Sequence, residues 1–472
     1  MLKTDILNSF QTVDEEYIDK LLKNEMQKNE KKIVVLDDDP TGVQTVHDIS
    51  VYTNWDKSSM LQGFAEENSL FYILTNSRGF TEEQTRKVHH EIAKVIDEVS
   101  KETGKEYIFI SRSDSTLRGH YPLETEVLKE EYEKHTGKMM DGEIICPFFK
   151  EGGRFTIDNV HYVKYGDKLI PANETEFAKD ATFGYTAKTM PAYVEEKTKG
   201  KYKAEDVCCI SLEELRNVDI DKIERKLEAV NGFHKIIVNA VDYVDIKVFC
   251  VALYRAMANG KVFMFRTAAA IVKVMGGISD QPLLTREKMI TRETNNGGVI
   301  IVGSHTDKTS RQIEALRELE DITFIELDVS LVGDENAFKK EVERCLEKEE
   351  NCIRKGKTVC CYTTRSLITA DTGDKEDELR LSVRISDAVQ SLVGKLQVTP
   401  QFVIAKGGIT SSDIGTKALK VKKANVLGQI KPGIPVWQTG EESKFPMMPY
   451  VIFPGNVGED TTLKETVEVF GK

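Results

Sequence analysis

The sequence predicts an α/β protein of two domains, each with a largely parallel sheet flanked by helices. Three observations support this prediction. Short apolar runs rich in β-branched residues recur along the chain, polar loops containing glycine follow them, and charged stretches with helical spacing come next. Continuous apolar runs are typical of parallel strands buried on both faces, and the amphipathic stretches between them are typical of crossover helices.

The first half of the chain contains the clearest strand candidates. They are KIVVL before DDDPTG, LFYIL before TNSRGF, EYIFI before SRSDSTLRGH, EIICP before FFKEGGRFT, and then HKIIV and KVFMF. Ligands of open α/β sheets bind outside the carboxyl ends of the strands. We therefore expect the polar loops after these strands to form the walls of a site.

A change of pattern divides the chain. Its 472 residues suffice for two or three domains of roughly 100 to 200 residues each. The strand–loop pattern is interrupted between Gly276 and Gly298 by a polar stretch without a clear strand, and it restarts with VIIVGSHTDKTS. We predict one domain over residues 1–283 and a second over 284–472. The second contains the strand candidates TFIELDV, TVCCYTT, FVIAKGG and YVIFPGN.

Composition excludes several classes of protein. The net charge of −12 argues against nucleic-acid binding, because phosphate backbones require a basic face. An anionic ligand would have to be held by local arginines and backbone N–H groups against this overall charge. No stretch approaches the roughly 20 apolar residues of a membrane span, and the N-terminus lacks the apolar core of a signal peptide. We expect a cytoplasmic protein without a nucleic-acid or membrane partner.

An aspartate run follows the first predicted strand. Asp37, Asp38 and Asp39 precede Pro40-Thr41-Gly42, which forces an immediate turn. Adjacent carboxylates repel one another, so at least one should have a raised pKa, a cationic partner or a role as a proton acceptor. Asp38 and Asp39 are the catalytic candidates, and Thr41 and Gly42 are candidates for substrate contact. The alternative is a solvated acidic turn.

Arginines and hydroxyl groups follow a later strand. SRSDSTLRGH places Arg112 and Arg118 around Asp114 and Ser115. This set suits a polyhydroxy acid, because arginine can bind a carboxylate through two hydrogen bonds while aspartate and serine bind hydroxyl groups. For any one arginine, a surface salt bridge is the alternative.

Two further arginines and one histidine are candidates for the same site. Arg78 in TNSRGF and Arg154 in KEGGRFT would join the anion site if their strands are neighbours. His161 in DNVHYV could line the cleft, although a lone histidine is more often structural.

The second half offers three glycine loops that suit phosphate. Gly303-Ser304 follows VIIV, Gly407-Gly408 follows FVIAK, and Gly455 follows YVIFP. Backbone without a side chain can approach a phosphate closely, although tight βα turns also use glycine for steric reasons alone. Neither G-x-x-x-x-G-K-[ST] nor G-x-G-x-x-G occurs, which disfavours a P-loop kinase and a standard dinucleotide-binding domain.

Taken together, these segments resemble the four-carbon acid sugar kinase family over most of the chain. Asp38 to Gly42 resembles the family's D-D-x-T-G, and Asp114 to Gly119 resembles its D-S-T-L-R-G. In the second half, Gly407 to Ser411 resembles G-G-D-T-S, except that Ile409 replaces the aspartate. The loop at Gly303 also departs from the family pattern, since His305-Thr306-Asp307 follows Ser304.

The resemblance implies an N-terminal substrate-binding domain, a C-terminal nucleotide-binding domain and an active site in the cleft between them. It also implies ATP contacts in the glycine loops. The nucleotide-contact candidates are Ser304, Gly407, Gly408, Ile409, Thr410, Ser411, Gly455 and Asn456.

The resemblance implies an ATP-dependent kinase that phosphorylates a hydroxyl group of a four-carbon sugar acid such as threonate, erythronate or an oxo-tetronate. Arginines would bind the carboxylate, Asp38 or Asp39 would accept the hydroxyl proton, and Mg²⁺ would bridge the phosphates with few protein ligands. The resemblance is also consistent with a homodimer. The alternatives are a metal-dependent aldolase or isomerase of sugar acids and a non-catalytic sugar-acid-binding protein.

Overall fold

The computed structural model describes residues 1–292, 294–304, 306–365, 375–455 and 457–471, and for 375–379 the backbone alone. The strands, in chain order, are β1 (Leu2–Lys3), β2 (Lys32–Asp37), β3 (Ile49–Tyr52), β4 (Leu70–Leu74), β5 (Tyr107–Arg112), β6 (Gly142–Cys146), β7 (Arg154–Ile157), β8 (Val160–Tyr165), β9 (Lys168–Pro171), β10 (Cys208–Ile210), β11 (His234–Val238), β12 (Phe263–Thr267), β13 (Val299–Val302), β14 (Ile322–Leu327), β15 (Thr358–Thr363), β16 (Val403–Lys406), β17 (Lys423–Lys431), β18 (Ile434–Thr439) and β19 (Pro449–Phe453).

Helices alternate with most of these strands, and the predicted α/β class is confirmed. The α-helices are α1 (Glu15–Met26), α2 (Lys57–Ala65), α3 (Glu82–Thr103), α4 (Leu123–Thr136), α5 (Met190–Lys197), α6 (Leu212–Arg216), α7 (Ile220–Ala229), α8 (Tyr243–Ala258), α9 (Ala269–Met275), α10 (Arg286–Met289), α11 (Asp307–Leu316), α12 (Glu335–Arg354), α13 (Lys375–Gly394), α14 (Gly408–Asp413) and α15 (Thr462–Glu468). None of the helices in the described ranges combines the length and apolarity needed to cross a membrane.

Internal contacts divide the chain into two units. The first unit consists of Met1–Gly42 and Asn54–Asp280, and its main sheet has the order β10-β11-β6-β12-β5-β2-β4 with every neighbouring pair parallel. In this sheet β2 lies between β4 and β5. The chain runs from β2, through β3 of the other unit, to β4 on one side of β2, and then crosses to β5 on the other side. The crevice at such a switch point is where open α/β sheets bind ligands. The loops after β2, β4 and β5 therefore lie where a site is expected.

Apolar runs form the core of this sheet. Every residue of β2, β4 and β5 is buried, which agrees with their continuous apolar sequences and with cover on both faces. Helix α3 begins with a capping box formed by Thr81 and Gln84, and it buries a face that includes Ile92 and Ile96. The buried strands and the capped amphipathic helix thus agree with the α/β pattern of the sequence.

A small antiparallel sheet, β1-β9-β8-β7, also belongs to the first unit. Asp158 and Asn159 form the tight turn between β7 and β8, with φ of 48° and 62°. The sequence analysis assigned no strands here, because these strands are short and mix polar with apolar residues. Arg154 begins β7 and His161 lies in β8, so this sheet positions two of the candidate residues.

The second unit consists of Val43–Thr53 and the described part of Gln281–Lys472. Its sheet has the order β3-β17-β18-β19-β16-β13-β15-β14, in which the first four strands are antiparallel and β19 to β14 are parallel. A switch point lies between β13 and β16. Val302 pairs with Lys406, and Lys406 pairs with Phe453, so the loops after β13, β16 and β19 begin at one level of the sheet.

Candidate functional site

The aspartate run lies at the carboxyl end of β2 and is paired with Arg78 from the loop after β4. Arg78 donates to Asp38 through Nη2 at 2.6 Å and Nε at 3.1 Å, and its Nη1 lies 3.3 Å from Asp39 Oδ2. Thr41 donates to Asp39 Oδ1 from its N–H at 2.9 Å and its hydroxyl at 2.6 Å. The Asp38 side chain is 2% exposed and that of Asp39 is 17% exposed. Asp39 is thus the more accessible of the two carboxylates.

The same environment gives these two carboxylates different pKa shifts. Burial raises the pKa of Asp38, although Arg78 opposes the shift. Burial also acts on Asp39, but Arg78 and the two hydrogen bonds from Thr41 outweigh it and hold the pKa of Asp39 below its ordinary value. Asp39 is therefore ionised at neutral pH and can accept a hydrogen bond from a ligand hydroxyl group.

Asp37 has a different role from its two neighbours. Its carboxylate is buried beside Arg112, whose Nη1 lies 3.3 Å from Oδ1. The backbone of Gly42 covers this carboxylate so closely that an added Cβ would overlap it. Burial, only partly offset by Arg112, raises the pKa of Asp37 to about 7. Asp37 and Arg112 therefore form a buried pair beneath the site, and Gly42 is needed for close packing.

The loop after β5, residues 113–119, is organised around Asp114. Arg118 donates to Asp114 through Nε at 2.9 Å, and the N–H and hydroxyl group of Thr116 donate to the same carboxylate. Burial alone would raise the pKa of Asp114, but Arg78 and Arg118 outweigh it and hold this pKa well below the usual range. Asp114 is a fixed anion that orients two arginines.

Four consecutive carbonyl groups of this loop accept hydrogen bonds from side chains elsewhere in the first unit. The pairs are His161 Nε2 to Ser115 O (2.7 Å), Tyr185 OH to Thr116 O (3.0 Å), Tyr193 OH to Leu117 O (2.9 Å) and Arg266 Nη2 to Arg118 O (2.7 Å). Buried carbonyl groups need such partners, and the partners in turn hold the loop in one conformation. The loop is pre-formed.

His161 is one of these structural donors. Its Nε2 donates to Ser115 O, and its Nδ1 accepts from the Thr156 hydroxyl at 2.9 Å. Burial lowers the pKa of His161 to about 4, so the ring is neutral at neutral pH. His161 positions the backbone of Ser115, and both of its ring nitrogens are already engaged.

Arg154 differs from the arginines described so far. Its Nη1 donates to Gly152 O, its Nε is buried without a hydrogen-bond partner, and it forms no ion pair with any carboxylate that the structure describes. The guanidinium groups of Arg154 and Arg118 lie 5.5 and 5.1 Å from the centre of the Phe177 ring. Burial lowers the pKa of Arg154, and the nearby charges of Asp114 and Glu176 oppose this shift only in part. An anionic ligand would form the ion pair that Arg154 lacks among the described residues.

Two groups beside the site were missed by the sequence analysis. Arg266, the fourth residue of β12, and Asp38 both lie close to Gly119, because an added Cβ there would be 3.4 Å from Arg266 Nη2 and 3.1 Å from Asp38 Oδ2. Glu124 in α4 is buried and accepts from the hydroxyl group of Ser77 at 2.6 Å. Neither residue stands in a motif, so only the register of the strands and the packing of α4 could reveal them.

Ser111 and Ser113 extend the hydrogen-bond network of Glu124. Their hydroxyl groups lie 3.3 and 3.4 Å from Glu124 Oε2. This carboxylate therefore connects the loop after β4, through Ser77, with the end of β5. Glu124 thus links the loop that contains Arg78 with the strand that ends at Arg112.

In the second unit, the loop after β13 presents a group of hydroxyl side chains. Thr309 Oγ1 donates to Ser304 Oγ at 3.1 Å, and Thr306 Oγ1 donates to Thr309 Oγ1 at 3.0 Å. Thr306 also caps α11, since its hydroxyl accepts from Thr309 N. An added Cβ on Gly303 would overlap Thr410 Oγ1 of the next loop. The loops after β13 and β16 are therefore in direct contact.

The loop after β16 contains most of the predicted nucleotide contacts. Gly407 has φ of 119°, a conformation that favours glycine, and α14 begins at Gly408. Ile409 is 75% exposed, whereas Ser411 is buried and donates to Ala405 O at 2.9 Å. Ser411 therefore closes the turn, and its hydroxyl is already engaged. Of the predicted residues, Asn456 lies outside the described part of the chain.

Lys406, the last residue of β16, was not predicted. It is fully buried, and its Nζ donates to Pro454 O at 2.7 Å and to Gly455 O at 3.0 Å in the loop after β19. Burial, with a smaller contribution from Lys308, lowers the pKa of Lys406 to about 7. The loops after β16 and β19 are thus joined through one ammonium group.

Helix α11 holds the same loop from its other end. Lys308 Nζ donates to Gly458 O at 3.0 Å, and Gln312 Nε2 donates to Val457 O at 3.3 Å and Glu459 O at 2.9 Å. The carbonyl groups of the loop are thus turned towards these donors.

A further cation lies beside the loop after β13. Arg365 donates to Ser304 O at 2.6 Å and to Thr306 O at 3.2 Å, and its pKa is lowered by burial. With Lys308 and Lys406 it makes three cations around these loops. None of the three pairs with a carboxylate in the ranges that the structure covers.

The arrangement of oxygen donors bears on metal binding. No group of three or more His, Cys, Asp or Glu side chains suited to a metal ion occurs among the described residues. The hydroxyl groups of Ser304 and Thr306 are hard oxygen donors at the glycine loops, and these fit a Mg²⁺ ion held mainly by phosphates and water.

Two protein-family models match the chain in succession. A sugar-binding N-terminal domain matches residues 33–275, and a nucleotide-binding C-terminal domain matches residues 299–463. The chain thus combines a sugar-binding domain with a nucleotide-binding domain. No curated protein sequence matches this chain significantly.

Solved structures share the fold along nearly the whole chain. The Haemophilus influenzae protein HI1011, of the family DUF1537, is 18% identical with a TM-score of 0.60, over 93% of this chain and 100% of that chain. A Salmonella typhimurium LT2 protein, provisionally described as a tRNA synthase, is 14% identical with a TM-score of 0.65, over 92% of this chain and 98% of that chain. At these identities the likeness concerns the fold alone. The first family model by itself spans more than half of the 472 residues, the second follows it in the expected order, and the chain belongs to the four-carbon acid sugar kinase family.

Proposed function

We propose that this protein transfers the γ-phosphate of ATP to a hydroxyl group of a four-carbon sugar acid. The main support for the proposal is that each unit contains cations without a carboxylate partner among the described residues. In the first unit, carboxylates pair with Arg78, Arg112 and Arg118, while Arg154 has no such partner among the described side chains. In the second unit, Lys308, Lys406 and Arg365 surround glycine loops without carboxylate partners in the described ranges.

Arg154 binds the carboxylate of the acid in this proposal. A monocarboxylate needs one unpaired cation, and a guanidinium group can bind both of its oxygens. Arg118 lies on the same Phe177 ring but is already oriented by Asp114. The hydroxyl groups of the substrate then face Asp114 and the aspartate run.

Asp39 accepts the proton of the reacting hydroxyl group, and Asp38 fixes Arg78 beside it. Asp39 is the more exposed of the two, and its lowered pKa keeps it ionised at neutral pH. Its carboxylate is therefore free of a proton and can accept one. General-base catalysis by a positioned carboxylate contributes roughly 10²-fold to 10⁴-fold to the rate. The buried pair of Asp37 and Arg112 supports the turn from below.

The nucleotide phosphates lie against the glycine loops of the second unit. The backbone N–H group of Gly408 donates to a phosphate oxygen, whereas that of Gly407 is engaged with Phe453 O at 2.9 Å, and the hydroxyl groups of Ser304 and Thr306 add further contacts. The hydroxyl groups of Ser304 and Thr306, with phosphates and water, would hold a Mg²⁺ ion, which would supply charge neutralisation. Positioning and charge neutralisation supply most of the catalysis in phosphoryl transfer.

Residues 1–283 form the acid-binding domain and residues 284–472 the nucleotide-binding domain in this proposal. A cytoplasmic location agrees with the use of ATP. Association as a homodimer stays a prediction.

The test is ADP release. The protein is incubated with ATP, Mg²⁺ and single acids from a panel that includes threonate, erythronate and their oxo derivatives, and ADP is measured with each. We expect release with one acid or a few close stereoisomers and a phosphorylated acid as the product. Binding of an acid without ADP release would favour a sugar-acid sensor, and an acid converted without ATP would favour an aldolase or isomerase.

A further inference from the structure

We propose that Lys406 is the buried cation that the nucleotide polyphosphate neutralises, and that it positions the loop after β19 for phosphate binding. The inference rests on the proposed nucleotide site and adds a residue that no family motif discussed above contains. Lys406 directly precedes Gly407, and its Nζ donates to the carbonyl oxygens of Pro454 and Gly455 at 2.7 and 3.0 Å. One side chain therefore ties two of the three glycine loops together.

The charge of Lys406 is unbalanced in the described chain. An ammonium group has three N–H donors, of which two are used, and no carboxylate of the described residues forms an ion pair with it. The ring of Phe453 lies 4.3 Å from Nζ and provides a weak cation–π contact. Lys308 adds a second positive charge nearby. A buried cation without an anionic partner is unfavourable, and an anionic ligand at these loops removes that cost.

Binding of an anion beside a buried lysine also changes its protonation. Since burial lowers the pKa of Lys406 to about 7, a fraction of the ammonium groups is neutral slightly above that pH. A polyphosphate stabilises the charged form and therefore raises this pKa. Nucleotide binding should then be accompanied by proton uptake, and that uptake should depend on residue 406.

A matched control is available within the same unit. Lys444 Nζ also donates to a backbone carbonyl, Gly394 O at 2.7 Å, and it also lies over a neighbouring ring, that of Phe445 at 5.3 Å. It has no part in the glycine loops. Lys444 is partly buried, and Lys444→Met therefore removes a lysine with the same kinds of contact without touching the proposed site.

The experiment is calorimetric titration of the full-length protein with MgATP, slightly above neutral pH, in two buffers that differ in ionisation enthalpy. Wild type, Lys406→Met, Lys406→Arg and Lys444→Met are compared. We expect Lys406→Met to bind MgATP at least about tenfold more weakly and to take up fewer protons than wild type. Lys406→Arg keeps its charge at every pH, so it should bind with less proton uptake than wild type. Lys444→Met should behave as wild type.

The outcomes separate the inference from the proposed function. If wild type does not bind MgATP, the proposed function fails and the inference fails with it. If wild type binds but Lys406→Met shows the same affinity and the same proton uptake, the inference alone is overturned. Should Lys406→Met fail to fold, Lys406→Arg decides, because wild-type proton uptake in this variant contradicts the role of Lys406.

Discussion

The loop after β5 and the loop after β19 are both held by side chains that bind their backbone, but the two loops differ in the charge of these side chains. In each, side chains from neighbouring elements donate to several carbonyl groups and hold the backbone. In the loop after β5, three of the four donors are neutral and the fourth is Arg266, while the loop's own cation Arg118 is paired with Asp114. In the loop after β19, two of the three donors are Lys308 and Lys406.

The difference matches the ligands proposed for the two units. A sugar acid carries one negative charge and several hydroxyl groups, so a site in which most charges are paired can distinguish it by hydrogen bonds. Among the described residues there, Arg154 and Arg266 form no ion pair with a carboxylate. A nucleotide polyphosphate carries several negative charges and is attracted by cations that lack partners. The net charge of −12 for the whole chain makes such local surpluses of positive charge necessary.

The largest expected effect is a loss of turnover, and it tests the proposed role of the aspartate run in the first unit. Asp39→Asn removes the proposed base but keeps a side chain that can bond with Thr41. We expect kcat for ADP release to fall about 10²-fold to 10⁴-fold, with the affinity for MgATP unchanged. Asp221→Asn, at an exposed position on α7, is the control and should retain wild-type turnover. Near-normal kcat in Asp39→Asn would remove the base assignment.

The second prediction concerns Arg154, which has no carboxylate partner in the described chain. Arg154→Met should weaken binding of the active acid about 10-fold to 100-fold, because a charge-assisted pair with its carboxylate is lost. The control is Lys150→Met, which removes an exposed cation of the preceding loop that pairs with Asp242. Calorimetric titration with the acid measures both variants. Equal affinities for the acid would mean that its carboxylate binds elsewhere.

A stability effect tests the close packing beneath the aspartate run. Gly42→Ala places a Cβ on the Asp37 carboxylate, and we expect a loss of about 1–3 kcal/mol in the free energy of unfolding. Gly79→Ala is the matched control, because an added Cβ there meets no atom within 4 Å. Urea denaturation of the two variants decides the point, and equal midpoints would contradict the proposed contact.

The smallest expected effect is a pH dependence from Asp37. Its folded-state pKa of about 7 lies above the unfolded value, so between roughly pH 4 and pH 7 the folded state binds more protons than the unfolded state. The contribution of Asp37 to stability is therefore most favourable at low pH and is lost as the pH rises through about 7. Asp37→Asn removes this titration.

Urea midpoints at about pH 5 and about pH 7.5 measure this effect as a difference between wild type and Asp37→Asn. We expect the stability of wild type relative to the variant to fall, on the order of 1 kcal/mol, as the pH rises. A difference that is constant with pH would show that Asp37 is already ionised throughout.

Much of the fold and part of the candidate site could be predicted from the sequence. The buried runs of β2, β4 and β5 and the polar loops that follow them are local features, so their composition indicates both the strand and the loop. The side chains of Arg78, Asp114 and Arg118 contact one another because these loops are neighbours, as the strand–loop pattern implied.

The remaining features depend on register and packing, which no local pattern reveals. Asp37 and Asp38 are both buried, and the close approach of Gly42 to the Asp37 carboxylate distinguishes Asp37 from its neighbours. Arg266 reaches the site only because β12 pairs with β5. Lys406 looked like the polar end of an ordinary strand. Its importance follows from two carbonyl groups that lie about fifty residues later in the chain.

One pair of titrations tests most directly whether the two units bind different classes of ligand. MgATP and the active acid are titrated separately into wild type, Arg154→Met and Lys406→Met. We predict that Arg154→Met loses affinity for the acid alone and that Lys406→Met loses affinity for MgATP alone. If either variant loses the other ligand instead, the assignment of acid to the first unit and nucleotide to the second is wrong.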